Sequence, residues 1–380
     1  MTLIFLYVSI FPSLVYSQQI DSLKIYSKTF DKERKILIYT PREYDIKPDS
    51  KYEVIYVFDA QAREFFDNVH SSLSFLNNSQ FPMIVVGIVS EKRNRDFLPK
   101  NEYLETFKDY NGNLGDVDKF VSFLSNELIP YIDKHYRTLP KRISIGHSNG
   151  ATFITYCLLK NPGIFDAYIA ISPNYVYDKE QLVKMIEKFD PNQLKSTKFI
   201  YLCNANEGDK WISASKKVIS SLKSRLFKDK IIIVSQDFSK TCNHTTVYPT
   251  GVINGLENYL DYQFFNVNNL IAYYSELYNK KLINLSPEIL KNISHSFLIK
   301  GRIEDATKIL LWAVQLFPDE LYLYNKIGEM YQNQNNNSEA IKYYKLFKEK
   351  AEQHKDLFSQ EQLENLKKIV DTQIKNLENK

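Results

Sequence analysis

Ile143-Ser-Ile-Gly-His-Ser-Asn-Gly-Ala151 decides how the rest of the chain is read. A short β-branched run stops at Gly146, and a helical pattern starts near Ala151. Between them stands Gly-x-Ser-x-Gly, with Ser148 at its centre. A strand, a tight turn and a helix in that order hold the serine backbone in a strained conformation and lift its hydroxyl clear of a sheet. Glycines on either side are needed because side chains there would meet neighbouring backbone. The helix N-terminus behind Ser148 offers free N–H groups, that of Asn149 among them, to a developing oxyanion.

A serine hydroxyl is a weak nucleophile and needs a general base. The chain has six histidines: His70, His135, His147, His244, His295 and His354. On a fold with such an elbow the chain order is serine, acid, histidine. His70 and His135 precede the serine, His147 lies inside the elbow, and His295 and His354 fall in a helical tail. That leaves His244, in the loop Lys240–Val247 between a last strand at 231–234 and a last helix at 251–260. The acid should follow the strand Phe199–Leu202, where Asn204-Ala-Asn-Glu-Gly-Asp209 stands. Glu207 is preferred and Asp209 is the alternative. Either could instead be a capping or first-turn carboxylate for a helix beginning near Trp211. A second oxyanion donor is expected from the backbone of Ala60 or Gln61, with Asp59 as a turn-former. Trp211, Tyr175 and Tyr177 are candidate pocket walls, with core packing as the competing role.

Outward from the elbow, apolar runs at 35–39, 54–58, 83–89, 143–145, 168–171, 199–202 and 231–234 read as strands by their length and β-branched content. Between them, Asp116–Tyr136 places Val117, Phe120, Val121, Leu124, Leu128, Ile129 and Ile132 on one helical face. Ile212, Val218, Ile219, Leu222 and Leu226 mark another, less regular helix. Strands alternating with helices predict an α/β fold: a mostly parallel sheet with helices on both faces.

The character changes near residue 265. Beyond it β-type runs vanish and a self-similarity appears. Gly301-Arg-Ile-Glu-Asp-Ala306 is echoed by Asn335-Asn-Asn-Ser-Glu-Ala340, and the two alanines lie 34 residues apart. That is the period of the tetratricopeptide repeat. Large residues at Leu290, Ile293, Phe297 and Leu310 recur as Tyr324, Ile327, Tyr331 and Tyr344. A final helix at about 358–378 would cap the pair. The expected division is therefore 1–17, 18–265 for the α/β domain and 270–380 for the helical segment.

Residues 1–17 form the first of these because Leu3–Tyr16 is an apolar run of 14 residues, followed by a small-residue step at Ser17. It is shorter than the roughly 20 residues of a membrane span and reads as a signal peptide, though no Lys or Arg precedes it. The expected location is periplasmic or secreted, with no stable membrane span.

Composition bounds the rest. Forty-nine basic and 45 acidic residues leave a formal charge of +4, spread along the chain, which does not argue for nucleic acid. Cys157, Cys203 and Cys242 are too widely spaced for a disulfide framework or a zinc site, although Cys203 and Cys242 could pair in an exported chain. No H-E-x-x-H, glycine-rich phosphate loop or calcium loop occurs, so no cofactor or metal is expected.

Several segments together resemble the esterase family that includes enterochelin (ferric siderophore) esterases and S-formylglutathione hydrolase, over about residues 30–262. They are Tyr56–Gln61, Arg93–Pro99, Phe123–Ile132, Tyr136–Thr138, the elbow itself, and Pro162–Pro173. The resemblance implies an α/β-hydrolase fold and carries the catalytic roles to Ser148 and, by position, His244. There are departures. Ala151 replaces a glycine usual after the elbow, Ala60 stands where glycine is usual, and His244-Thr-Thr-Val247 is bulkier than the family's His-Gly-Ser-Val. Members with helical C-terminal repeats also occur.

The leading expectation is a serine carboxylic ester hydrolase acting on a small-molecule or glycan ester: a siderophore, an acylated sugar or a simple acyl ester. One alternative is a non-catalytic scaffold that holds a protein partner through its helical tail. The other is an acyltransferase on the same fold.

Overall fold

Val54–Phe58 and Met83–Ile88, apolar at nearly every position, lie side by side and parallel inside an eight-stranded sheet, where both of their faces are covered. The computed structural model describes residues 19–76, 82–112, 115–224, 227–263 and 266–379. The expected signal peptide at 1–17 lies outside them. The strands are β1 (Gln19–Ser27), β2 (Lys32–Thr40), β3 (Tyr52–Phe58), β4 (Met83–Ile88), β5 (Thr138–His147), β6 (Ala167–Ile171), β7 (Lys198–Asn204) and β8 (Ile231–Asp237). Their order is β1-β2-β4-β3-β5-β6-β7-β8. All neighbours from β4 through β8 run parallel, and β1 and β2 form an antiparallel hairpin at one edge. The sequence reading passed over β1. Its alternation buries Ile25 and exposes Lys24 and Tyr26, as an edge strand with one solvated face does.

The helices of this unit are α1 (Glu43–Ile46), α2 (Arg63–Leu76), α3 (Arg93–Phe97), α4 (Leu104–Asp109), α5 (Val117–Phe123), α6 (Ile129–His135), α7 (Asn149–Lys160), α8 (Tyr177–Glu187), α9 (Asp209–Leu222) and α10 (Val247–Gln263). The single helix expected over 116–136 is α5 and α6 joined by a wide π-type turn at Leu124–Leu128. Pro130 accounts for it. Proline has no N–H to donate, and its ring crowds the carbonyl four residues back, so the preceding turn widens. The apolar face survives, with Phe120, Leu124, Leu128 and Ile132 wholly buried.

Every residue of α7 from Asn149 to Leu159 is buried. Phe153 on that helix packs against Phe58, Phe97 and Phe120 at ring separations of 5.0, 5.4 and 5.2 Å. Such ring clusters supply large apolar burial with defined geometry. They seat the elbow helix on the sheet. The buried Arg34 of β2 reaches Asp96 at 3.1 Å, and its guanidinium lies over the rings of Phe30, Phe120 and Phe123. Ser90 donates to the same carboxylate. Asp96 thereby pins α3 beside β2 and β4.

A second unit begins at Leu260. After α10 it contains α11 (Val267–Asn279), α12 (Pro287–Ile299), α13 (Ile303–Leu316), α14 (Leu321–Asn333), α15 (Asn337–Gln353) and α16 (Gln360–Glu378). Consecutive helices from α12 to α16 pack as neighbours. The first members of the two hairpins, α12 and α14, start 34 positions apart, as do α13 and α15. Close packing within the second hairpin depends on Gly328, where a Cβ would stand 2.6 Å from the Tyr344 ring. Val370, Ile374 and Leu377 of α16 cover Ala340 and Tyr344, and a capping box between Ser359 and Gln362 starts that helix. Among the described residues no helix is long and apolar enough to cross a membrane.

Candidate active site

Strand β5 ends at His147, and α7 begins at Asn149, two residues before the expected start. Ser148 alone forms the turn, with φ 57° and ψ −121°. A non-glycine residue is rarely held there, and surrounding contacts must impose it. Ser148 N–H donates to the Ile171 carbonyl at 2.9 Å. Its own carbonyl accepts from Thr152 N–H and Thr152 Oγ1, at 3.0 and 3.1 Å. Gly146 makes room for this turn, since a Cβ there would lie 2.4 Å from the backbone carbonyl of Gly150. Gly146→Ala should therefore destabilise the protein by about 3 kcal/mol. For a unit of this size that is a fall of roughly 6–12 °C in Tm. An unchanged melting curve would remove this account of the elbow.

Glu207, His244 and the Asp59–Gln61 turn all follow C-terminal ends of parallel strands, the same edge of the sheet as the elbow. Glu207 and His244 are brought together: His244 Nδ1 is hydrogen-bonded to Glu207 Oε1. A parallel bridge between Asn206 and Asn243, with Asn206 N–H on the Cys242 carbonyl at 2.9 Å, ties the two loops. The Glu207 carboxylate also accepts from Ser172 Oγ. Ser172 is itself in the left-handed region, φ 48°, with its N–H on the Cys203 carbonyl. Burial alone would raise the Glu207 pKa. The hydrogen bonds from His244 and Ser172 and the attraction of His244 outweigh it and leave the pKa lowered. Asp209 lies exposed in the first turn of α9, away from this bond, as a helix-start carboxylate does.

The two amides expected beside the elbow differ. Ala60 N–H donates to the Ile88 carbonyl at 3.1 Å, so that donor is occupied and Ala60 does not meet the expectation placed on it. Gln61 remains as the candidate. Its side chain bridges the turn, donating to Asp59 Oδ1 at 2.8 Å and accepting from Ser90 N–H at 2.9 Å.

Asp59 does more than form the turn. With φ 67° and its carboxylate buried, it takes two hydrogen bonds from Arg93, at 2.7 and 2.9 Å. Arg93 also donates to the His147 carbonyl at 3.1 Å, coupling the β3 turn to the elbow. Asn149, the first residue of α7, is held by its side chain between Asn94 Oδ1 at 3.0 Å and Asn174 Nδ2 at 2.9 Å. The sequence reading assigned no role to Arg93, Asn94, Ser172 or Asn174. The first three lay inside segments that resembled the esterase family, which was the only signal available.

Trp211 stands edge-on to the His244 ring at 5.5 Å. The other two expected pocket walls are core residues. Tyr175 is buried and hydrogen-bonded to Thr155, and Tyr177 donates to the Pro99 carbonyl. Cys157, Cys203 and Cys242 are free thiols. Among the described residues no group of histidine, cysteine and carboxylate side chains is arranged to hold a metal ion.

The chain matches a family model described as "Putative esterase" over residues 27–229, just over half its length. The ferri-bacillibactin esterase BesA of Bacillus subtilis is 29% identical over 163 residues, 37% of this chain and 54% of that protein. The chain thus spans about half the length of that relative. An IroE-like serine hydrolase from Shewanella oneidensis has a similar structure over 78% of this chain and all of its own, with a TM-score of 0.61 and 20% identity. A protein from Capnocytophaga ochracea, 16% identical, covers 95% of this chain and all of its own at a TM-score of 0.58. Both structural likenesses concern the fold, and the second runs through the helical unit as well.

Proposed function

Because the chain belongs to the Putative esterase family of α/β-hydrolases, we propose that it is a serine carboxylic ester hydrolase working through an acyl-enzyme. The hydrogen bond between His244 Nδ1 and Glu207 carries this reading. A histidine so held keeps its proton on Nδ1 and turns Nε2 free as the base, and the carboxylate stabilises the imidazolium that forms. Ser148 Oγ attacks the ester carbonyl while His244 Nε2 takes its proton. The oxyanion forms against the N–H groups of Asn149 and Gln61. The tetrahedral species collapses, the alcohol departs with the proton from His244, and water attacks the acyl-enzyme by the same route in reverse. Among substrates, a ferric siderophore ester comes first, supported by the Bacillus subtilis relative. Simple acyl esters and acylated sugars are next. The apolar leader supports export to the periplasm or beyond.

Labelling with a fluorophosphonate, followed by peptide mapping, should find one adduct, on Ser148, in protein that also hydrolyses a short p-nitrophenyl ester. Protein that neither labels nor turns over would overturn the proposal. For the substrate, a siderophore trilactone should show a higher kcat/KM than acetylated xylan. The reverse order would move the assignment to glycan esters.

A further inference from the structure

We propose that His147, the residue immediately before the nucleophile, is a positioning residue that holds the main chain of His244 in place. This rests on the ester-hydrolase reading above. His147 ends β5 with its ring turned back under the loop that carries His244. Its Nε2 lies 2.7 Å from the His244 carbonyl oxygen. A carbonyl only accepts, so Nε2 carries the proton and donates. The two imidazoles lie 4.6 Å apart, tilted by 42°. Phe65 and Tyr248 close around the His147 ring at 5.6 and 5.7 Å, and Tyr248 OH donates to the Phe65 carbonyl at 2.9 Å. His147 is 6% exposed.

This contact differs in kind from the one Glu207 makes. Glu207 grips Nδ1 and sets the rotation of the His244 ring. His147 grips the His244 backbone and sets where the ring is mounted. Because His147 is bonded directly to Ser148, one side chain spans from the nucleophile's neighbour to the base. Any shift of the His244 loop away from the elbow breaks this partly buried hydrogen bond.

The ring performs this task as a neutral group. Burial, and then repulsion from His244, lower its pKa to about 4, against weaker pulls upward from the His244 carbonyl and Asp59. The charged or titratable groups facing it are His244 from the loop before α10, Asp59 from the turn after β3 and Arg93 from α3; Tyr248 of α10 is the phenol against its face. The ring beside His244 therefore stays uncharged when His244 becomes an imidazolium in the tetrahedral intermediate.

Three variants separate donation from packing. Phenylalanine at 147 keeps a ring and loses the donor. Glutamine puts an amide nitrogen where Nε2 stands, and asparagine puts one where Nδ1 stands, short of the carbonyl. Each is assayed on a short p-nitrophenyl ester, with melting curves to establish folding. His147→Phe and His147→Asn should lower kcat by about 10- to 100-fold, the scale of a misplaced catalytic group, with little change in KM. His147→Gln should recover most of that loss. Equal kcat in the glutamine and asparagine variants, or wild-type kcat in the phenylalanine variant, would overturn the proposal. If the phenylalanine variant does not fold, the glutamine and asparagine pair decides. Wild-type protein that neither labels with a fluorophosphonate nor turns over would remove the premise instead, so the two failures are distinguishable.

Discussion

Ser148→Ala should lower kcat for a short p-nitrophenyl ester by about 10⁶-fold, the loss seen when the nucleophile of a serine triad is deleted. The residual rate comes from binding and from the oxyanion donors, which alanine leaves in place. Folding should survive. Ser148 sits at φ 57° because the Ile171 carbonyl and the Thr152 N–H and hydroxyl fix its backbone, and these bonds do not involve its side chain. Initial rates, a melting curve and fluorophosphonate labelling on one preparation check all three points. A folded variant retaining more than a small fraction of wild-type turnover would mean that another nucleophile does the work.

Glu207→Gln is expected to cost about 10⁴-fold in kcat. Glutamine preserves the shape of the side chain. It can present its N–H₂ to Nδ1, which favours the wrong tautomer, and it cannot stabilise an imidazolium. Asp209→Asn is the control: its carboxylate is exposed in the first turn of α9 and the His244 Nδ1 partner is Glu207, so its rate should stay close to wild type. An equal loss in both variants, or a loss in Asp209→Asn alone, would reassign the acid. Stability should follow pH in a defined direction. The folded-state pKa of Glu207 is lowered, so the unfolded chain takes up the proton first as pH falls. The stabilisation by the ionised carboxylate is complete above the ordinary glutamate pKa and is lost as pH drops through the lower, folded value. Urea melts of wild type and Glu207→Gln should therefore differ by less in acid than at neutral pH.

Local chemistry carried much of the site. Gly-x-Ser-x-Gly between a β-branched run and a helical pattern can be read in one pass, because its geometry is set by residues adjacent in sequence. His244 followed by elimination among six histidines and chain order. Strands β3 to β7 were legible because burial on both faces makes their inner stretches near-continuously apolar, and β8, half-buried at the sheet edge, was legible from its β-branched run at 231–234. β1 was not, because its half-polar alternation resembles a loop with scattered apolar residues.

Other features depend on residues far apart in sequence. Glu207 and Asp209 are two positions apart with the same charge, and only the approach of the loop after β8 put one of them against His244. Ala60 and Gln61 were equivalent until β4 lay beside β3 and the Ile88 carbonyl took the Ala60 N–H. The pairing of Asp59 with Arg93 spans 34 residues and that of His147 with the His244 carbonyl spans 97. The sequence by itself determined the Gly-x-Ser-x-Gly elbow, the α/β class and the 34-residue helical spacing, and it singled out Ser148 and His244 as the candidate nucleophile and base, since each is written in a local pattern, period or chain order. Tertiary structure alone decided which carboxylate meets His244, which of the two amides the Ile88 carbonyl occupies and what holds the His244 loop. Those choices depend on hydrogen bonds between loops that only the order of strands in the sheet brings together.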